Sequence, residues 1–112
     1  METMKKYYVY ILRCEDMSLY TGITTDIEKR LKEHITKKGA KYTKSRGVKK
    51  LEIYFSCNGR SEASRIEYFF KKLSKRKKEE LILDFKGLKE CFWKELRIEI
   101  KNIEKNEKNI LT

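Results

Sequence analysis

The run Lys6-Tyr7-Tyr8-Val9-Tyr10-Ile11-Leu12-Arg13 puts β-branched and aromatic residues on both alternating faces of an extended chain. Side chains of a strand point to its two faces in turn, so a strand that is apolar on both must be covered on both. That demands a central strand with layers above and below it. A chain of 112 residues can supply those layers around one core but not two. After the polar turn Glu15-Asp16-Met17-Ser18, the segment Leu19-Tyr20-Thr21-Gly22-Ile23 reads as the returning arm of a hairpin.

Thr25-Asp26-Ile27-Glu28 then has the pattern of a capping box, with Thr25 as N-cap and Glu28 at N3. It opens a helix with the apolar stripe Ile27, Leu31 and Ile35, stopped by Gly39. A third strand is expected over Leu51–Ser56, followed by a turn at Asn58-Gly59-Arg60. Ser61 caps a longer helix with Ala63, Ile66, Phe70 and Leu73 at helical spacing, and a short helical segment follows near 79–83. From Gly87 onward, Leu88, Phe92, Leu96, Ile100 and Ile103 have the spacing of one more amphipathic helix, frayed by Asn102, Asn106 and Asn109. The order β-β-α-β-α describes an α+β domain over residues 1–86, with residues 87–112 as a helical or partly disordered extension.

Charge narrows the partners. Twenty-eight Lys and Arg against seventeen Asp and Glu leave a net charge of +11, a strong bias toward polyanions. A codon bias would raise Lys and Glu together, whereas the excess here is concentrated. Lys37, Lys38, Lys41, Lys44, Arg46, Lys49 and Lys50 share one stretch with no acid, interleaved with Tyr42, Thr43 and Ser45. Such a stretch can track a phosphate backbone, which makes Lys38, Lys41, Tyr42, Lys44, Arg46 and Lys49 candidate nucleic-acid contacts. A second basic run, Lys71, Lys72, Lys75, Arg76, Lys77 and Lys78, closes the later helix. No apolar run approaches the roughly 20 residues of a membrane span, and the N-terminus has no signal-peptide pattern. Cys14, Cys57 and Cys91 are odd in number and form no CxxC pair, which argues against a disulfide framework or zinc ribbon and for a reducing cytoplasm.

Reactive side chains fall at helix borders. Arg30 and His34 are four residues apart, on one face of the first helix, about 100° and about 60° from the centre of its apolar stripe. Glu67 lies about 90° from the centre of the second stripe. Two helices packed on one sheet could aim all three at the hairpin tyrosines. Each has a plainer explanation too: Tyr10 and Tyr20 are good strand residues, Arg30 a solvated one, His34 a packed one, and Glu67 an i,i+4 partner of Lys71.

Taken together, "YVY" at 8–10, "YTG" at 20–22, Arg30, His34 and Glu67 resemble the GIY-YIG nuclease superfamily, above all its small stand-alone bacterial members. The likeness spans roughly residues 6–83. It implies a central three-stranded antiparallel sheet flanked by helices, and metal-dependent hydrolysis of a DNA phosphodiester. By this resemblance Tyr10 and Tyr20 take the tyrosine positions of the two name motifs, Arg30 the helix arginine, His34 the His-or-Tyr position, and Glu67 the metal-binding glutamate. Gly22 corresponds to the motif glycine, where a missing Cβ would let a phosphate approach. Valine and threonine replace the motif isoleucines, and no counterpart is found of the asparagine that several larger members carry. Neither a zinc module nor a DNA-targeting segment is seen.

The resemblance makes the chain a metal-dependent endonuclease, structure-selective and serving DNA repair or recombination, with a non-catalytic nucleic-acid-binding module as the alternative. DNA is the expected partner and RNA the second choice, with no small-molecule cofactor, and a monomer or weak dimer as the assembly. A single Mg²⁺ or Mn²⁺ on Glu67 is expected, because such ions keep most ligand positions for water and phosphate. Arg30 would hold the phosphate. Tyr10 is favoured as base or water-orienter beside Arg30, with Tyr20 and His34 assisting; on pKa grounds alone His34 is the simpler base.

Overall fold

The computed structural model describes residues 5–36 and 46–105. Strands β1 (Lys6–Cys14) and β2 (Leu19–Thr24) form the expected hairpin, followed by helix α1 (Ile27–Ile35) and strand β3 (Val48–Asn58). Helices α2 (Gly59–Lys71), α3 (Lys75–Ile82) and α4 (Phe85–Leu96) come next, and strand β4 (Lys101–Lys105) closes the sheet. Its order is β2-β1-β3-β4, antiparallel throughout.

Strand β1 is central, and its residues from Val9 to Cys14 are all buried. Val9 and Ile11 face the larger core, where Phe55, Ile66, Phe70, Leu88 and Phe92 join them from β3, α2 and α4. Tyr10 and Leu12 face the other way, against Leu31 of α1 and Leu51 of β3. One irregularity makes the second cluster possible. Ile11 pairs with Ile53 but Leu12 with Leu51, so Glu52 is an extra residue that turns Leu51 to the α1 face. Glu52 meets Arg13, whose guanidinium also holds the Glu79 carboxylate through two bonds of 2.6 and 2.7 Å and the Met17 carbonyl at 2.9 Å. This bidentate pairing fastens α3 and the hairpin turn to the sheet.

Among the described residues the sheet has four strands, not three, and the tail is not one continuous helix. Helix α4 ends at Leu96 because Arg97 takes a left-handed conformation, φ 57°, with its guanidinium 5.6 Å over the Trp93 ring. Ile98 and Ile100 then turn into the main core, and Lys101–Lys105 pairs with β3, Tyr54 opposite Glu104. Ile100 and Ile103 therefore belong to the sheet side of the fold rather than to a helix stripe, and the expected boundary at 86/87 falls inside α4.

Element ends also shift. Asp26, not Thr25, caps α1, accepting from the Lys29 N–H at 3.1 Å. Strand β3 reaches from residue 48 to 58, so the expected turn is already the start of α2, with Gly59 at φ 85° and Ser61 inside the helix. The Asn58 N–H there is taken by the Glu62 carboxylate at 3.0 Å. Ser74 caps α3, so the second basic run is divided between the end of α2 and the start of α3. Gly39, the expected stop of α1, lies outside the described residues.

Candidate active site

The polar centre is built on β1. At Tyr10 the side chain points to the α1 face and its ring crosses β2, where Gly22 stands directly opposite. A Cβ on Gly22 would overlap the Cζ and Oη atoms of Tyr10, so the position is bare because a tyrosine ring fills it. The opening that the sequence assigned to an approaching phosphate is occupied by that ring.

From α1, His34 Nε2 lies 2.9 Å from the Tyr10 hydroxyl, and Arg30 Nε donates to the same oxygen at 3.2 Å. Tyr10 is 1% exposed and His34 2%, while Ile35 is 43% exposed. Helix α1 therefore turns further than its apolar stripe implies: His34, expected at the border, takes the inward place expected for Ile35. In that place His34 supplies the acceptor for the buried Tyr10 O–H, which offsets leaving Ile35 at the surface. Burial, with Arg30 nearby, pushes the His34 pKa down to about 4, so the ring is neutral near pH 7. Burial also raises the Tyr10 pKa, and Tyr20 and Glu67 add to this, against the lowering by the Arg30 hydrogen bond and charge. A neutral Tyr10 that donates to His34 and accepts from Arg30 satisfies all three groups.

Tyr20 joins from the hairpin's second arm, half-buried, its ring centroid 5.4 Å from His34 and 6.3 Å from Tyr10. Glu67 arrives from a distant part of the chain. Helix α2 packs against β1 and β2 on the main-core side, and β2 is the edge strand, so a side chain on the border of α2 lies beside that edge. Lys71 joins the two: its Nζ is 3.4 Å from Glu67 Oε2 and 5.8 Å from the Tyr20 ring centroid. Glu33, which sequence reasoning did not single out, pairs with Arg30 at 3.2 Å; its i,i+3 spacing was the available signal.

The basic block divides. Lys38, Lys41, Tyr42 and Lys44 lie outside the described residues. Arg46 pairs with Asp16, and Lys49 Nζ lies 3.8 Å from the Met17 sulfur, both at the hairpin turn. Among the described residues no group of three or more His, Cys, Asp or Glu side chains could cage a metal. Glu67 fits a hard divalent ion of another kind: it is a partly exposed oxygen donor whose position already attracts a cation, and such ions need few protein ligands. No helix of the described residues is long and apolar enough to cross a membrane.

An antiparallel sheet with two tyrosines, an arginine, a histidine and a glutamate gathered at its edge hairpin defines a class, and comparison with known proteins supplies the family. The model of the GIY-YIG catalytic domain matches residues 6–80, and the chain belongs to the GIY-YIG family. It is 54% identical over 76 residues to a UPF0213 protein of Fusobacterium nucleatum, covering 68% of this chain and 76% of that one. A UPF0213 protein of Halalkalibacterium halodurans is 51% identical over 76 residues, covering 68% of this chain and 81% of that one. A solution NMR structure of a UPF0213 protein from Bacillus halodurans, 51% identical, aligns with a TM-score of 0.46 over 69% of this chain and 82% of that one.

Proposed function

We propose that the chain is a metal-dependent endonuclease that hydrolyses DNA phosphodiester bonds at the Tyr10–Tyr20–Arg30–His34–Glu67 centre. The observation that carries this reading is the gathering itself. Arg30 and His34 converge on one buried hydroxyl, and Glu67, from the other side of the sheet, shares a cation with Tyr20. A structural core has no need of a carboxylate beside a basic, polyanion-seeking edge.

The roles follow from burial. Tyr10 is shut away from solvent and held protonated, which favours the orienting role over the base among the two expected from sequence. Through Tyr10 and Glu33, Arg30 is held where its remaining N–H groups can bind a phosphate. Half-buried Tyr20 is the better placed of the two tyrosines to meet water, with neutral His34 packed behind it. Glu67 would hold one Mg²⁺ or Mn²⁺, which supplies charge for the phosphate oxygens and the leaving alkoxide. Basic residues, Arg46 and Lys49 among them, would follow the DNA backbone, and substrate choice would rest on DNA shape in repair or recombination. Free Cys14, Cys57 and Cys91 suit a reducing cytoplasm.

A second reading has its own support. Lys71 already neutralises Glu67, so a metal-free protein could bind nucleic acid without that carboxylate repelling it. Labelled single-stranded, duplex and branched DNA, each incubated with Mg²⁺, Mn²⁺ or EDTA, separates the two. Cleavage by wild type that needs metal and drops about 100-fold or more in Glu67→Ala is expected. Equal inertness of both proteins on every substrate, with equal binding, would leave only the binding module.

A further inference from the structure

We propose that Lys71 is a built-in counter-ion of Glu67, an ammonium group that holds the divalent-cation position and is displaced when the metal binds. The inference rests on the reading of Glu67 as the metal ligand and adds a residue that the reading did not contain. Its support is geometric. Lys71 stands one helical turn after Glu67 on α2, with Nζ 3.4 Å from Oε2 and also over the Tyr20 ring, 5.8 Å from its centroid. A carboxylate and an aromatic face together form a small cation seat.

Three other members of the basic run are engaged elsewhere. Lys72 lies 4.3 Å over the exposed Tyr68 ring, Lys75 donates to the Met17 carbonyl and pairs with Glu79, and Arg76 pairs with Glu80. Of these four, Lys71 is the one whose charge meets the candidate site.

Two consequences follow from charge alone. Without metal, the Lys71 ammonium cancels the Glu67 charge and keeps the edge of β2 attractive to a phosphate. With metal, a divalent ion at Glu67 repels the ammonium, so ion and lysine compete for one carboxylate. Lys71 is half exposed, so solvent weakens that competition and the released side chain has room to swing away.

Amide NMR spectra of the full chain, titrated with Mn²⁺ into the millimolar range, test this by paramagnetic broadening of the Tyr20 and Glu67 signals. The spectra also show whether each variant is folded. Removing the charge in Lys71→Met should lower the Mn²⁺ concentration for half-broadening about three- to tenfold, a shift set by one partly screened charge. Lys71→Arg, which keeps the charge, should stay within about twofold of wild type. Glu67→Gln should lose the local broadening. If Glu67→Gln broadens like wild type, or wild type shows no local broadening, the metal reading of Glu67 falls and this inference with it. If Glu67→Gln loses broadening while Lys71→Met matches wild type, the counter-ion role alone is overturned.

Discussion

On the face of the sheet covered by α2, α3 and α4, Val9 and Ile11 of β1 meet a broad apolar layer that includes Phe55, Phe70, Leu88 and Phe92. One residue along the same strand, Tyr10 faces α1 and meets His34 and Arg30 instead. The first face gains its stability from burial and aromatic contacts, with Phe92 5.6 Å from Phe55 and 6.1 Å from Phe69 between ring centroids. Among the described residues the second is thinner, with Tyr10, Leu12, Leu31 and Leu51 as its buried cluster. A strand two layers deep lets one face stabilise the molecule while the other holds polar groups in a fixed arrangement. The polar face would be hard to keep dry and ordered without the apolar one behind it.

Substitutions should separate the two faces. The largest effect is expected on the apolar side: Phe92→Ala should cost about 3–5 kcal/mol in urea unfolding. A loss below about 1 kcal/mol would mean that α4 is not part of the supporting layer. Next comes the contact between β1 and β2. Gly22→Ala should cost about 1–3 kcal/mol by forcing the Tyr10 ring away, with a changed near-ultraviolet tyrosine spectrum. The same substitution placed in a Tyr10→Ala background should cost much less, because the overlap is gone; equal costs in both backgrounds would rule out the ring as the reason for the glycine.

The smallest effect, read near the upper end of its pH window, belongs to His34. Its pKa falls from 6.5 to about 4 on folding, so the unfolded chain takes up the proton first as the pH drops. The stability tied to neutral His34 is fully present above pH 6.5 and is lost as the pH falls from 6.5 toward about 4. His34→Gln should flatten this part of the pH profile, most cleanly near the upper end of the window, where few carboxylates titrate. Parallel profiles for wild type and variant would show that His34 is not held neutral.

Local pattern carried much of this in advance. The apolar run of β1, the returning arm of β2 and the inward Leu31 are each legible because burial on a strand or helix leaves its pattern in the sequence. The unbroken run at 6–13 correctly called for cover on both faces. Strand β4 left no such trace: Lys101-Asn102-Ile103-Glu104-Lys105 is an exposed edge, held by pairing with β3 and only Ile103 turned toward the core. Edge pairing needs backbone rather than side-chain apolarity, so pattern reading took the segment for the end of a helix.

The site divides in the same way. By itself the sequence determined which residues the chain could bring to a polar centre: two tyrosines spaced by a hairpin, Arg30 and His34 one turn apart, and Glu67 on the border of a later helix. Only the tertiary structure decided that Tyr10 and His34 are sealed inside, that Gly22 is bare for the Tyr10 ring, and that Lys71 stands between Glu67 and Tyr20. The physical reason is that spacing fixes direction within one element, whereas burial and charge pairing depend on how far each element rotates against its neighbours. The rotation of helix α1 gives a buried hydroxyl its acceptor, and the edge position of β2 brings Tyr20 within reach of the lysine that pairs with the α2 carboxylate.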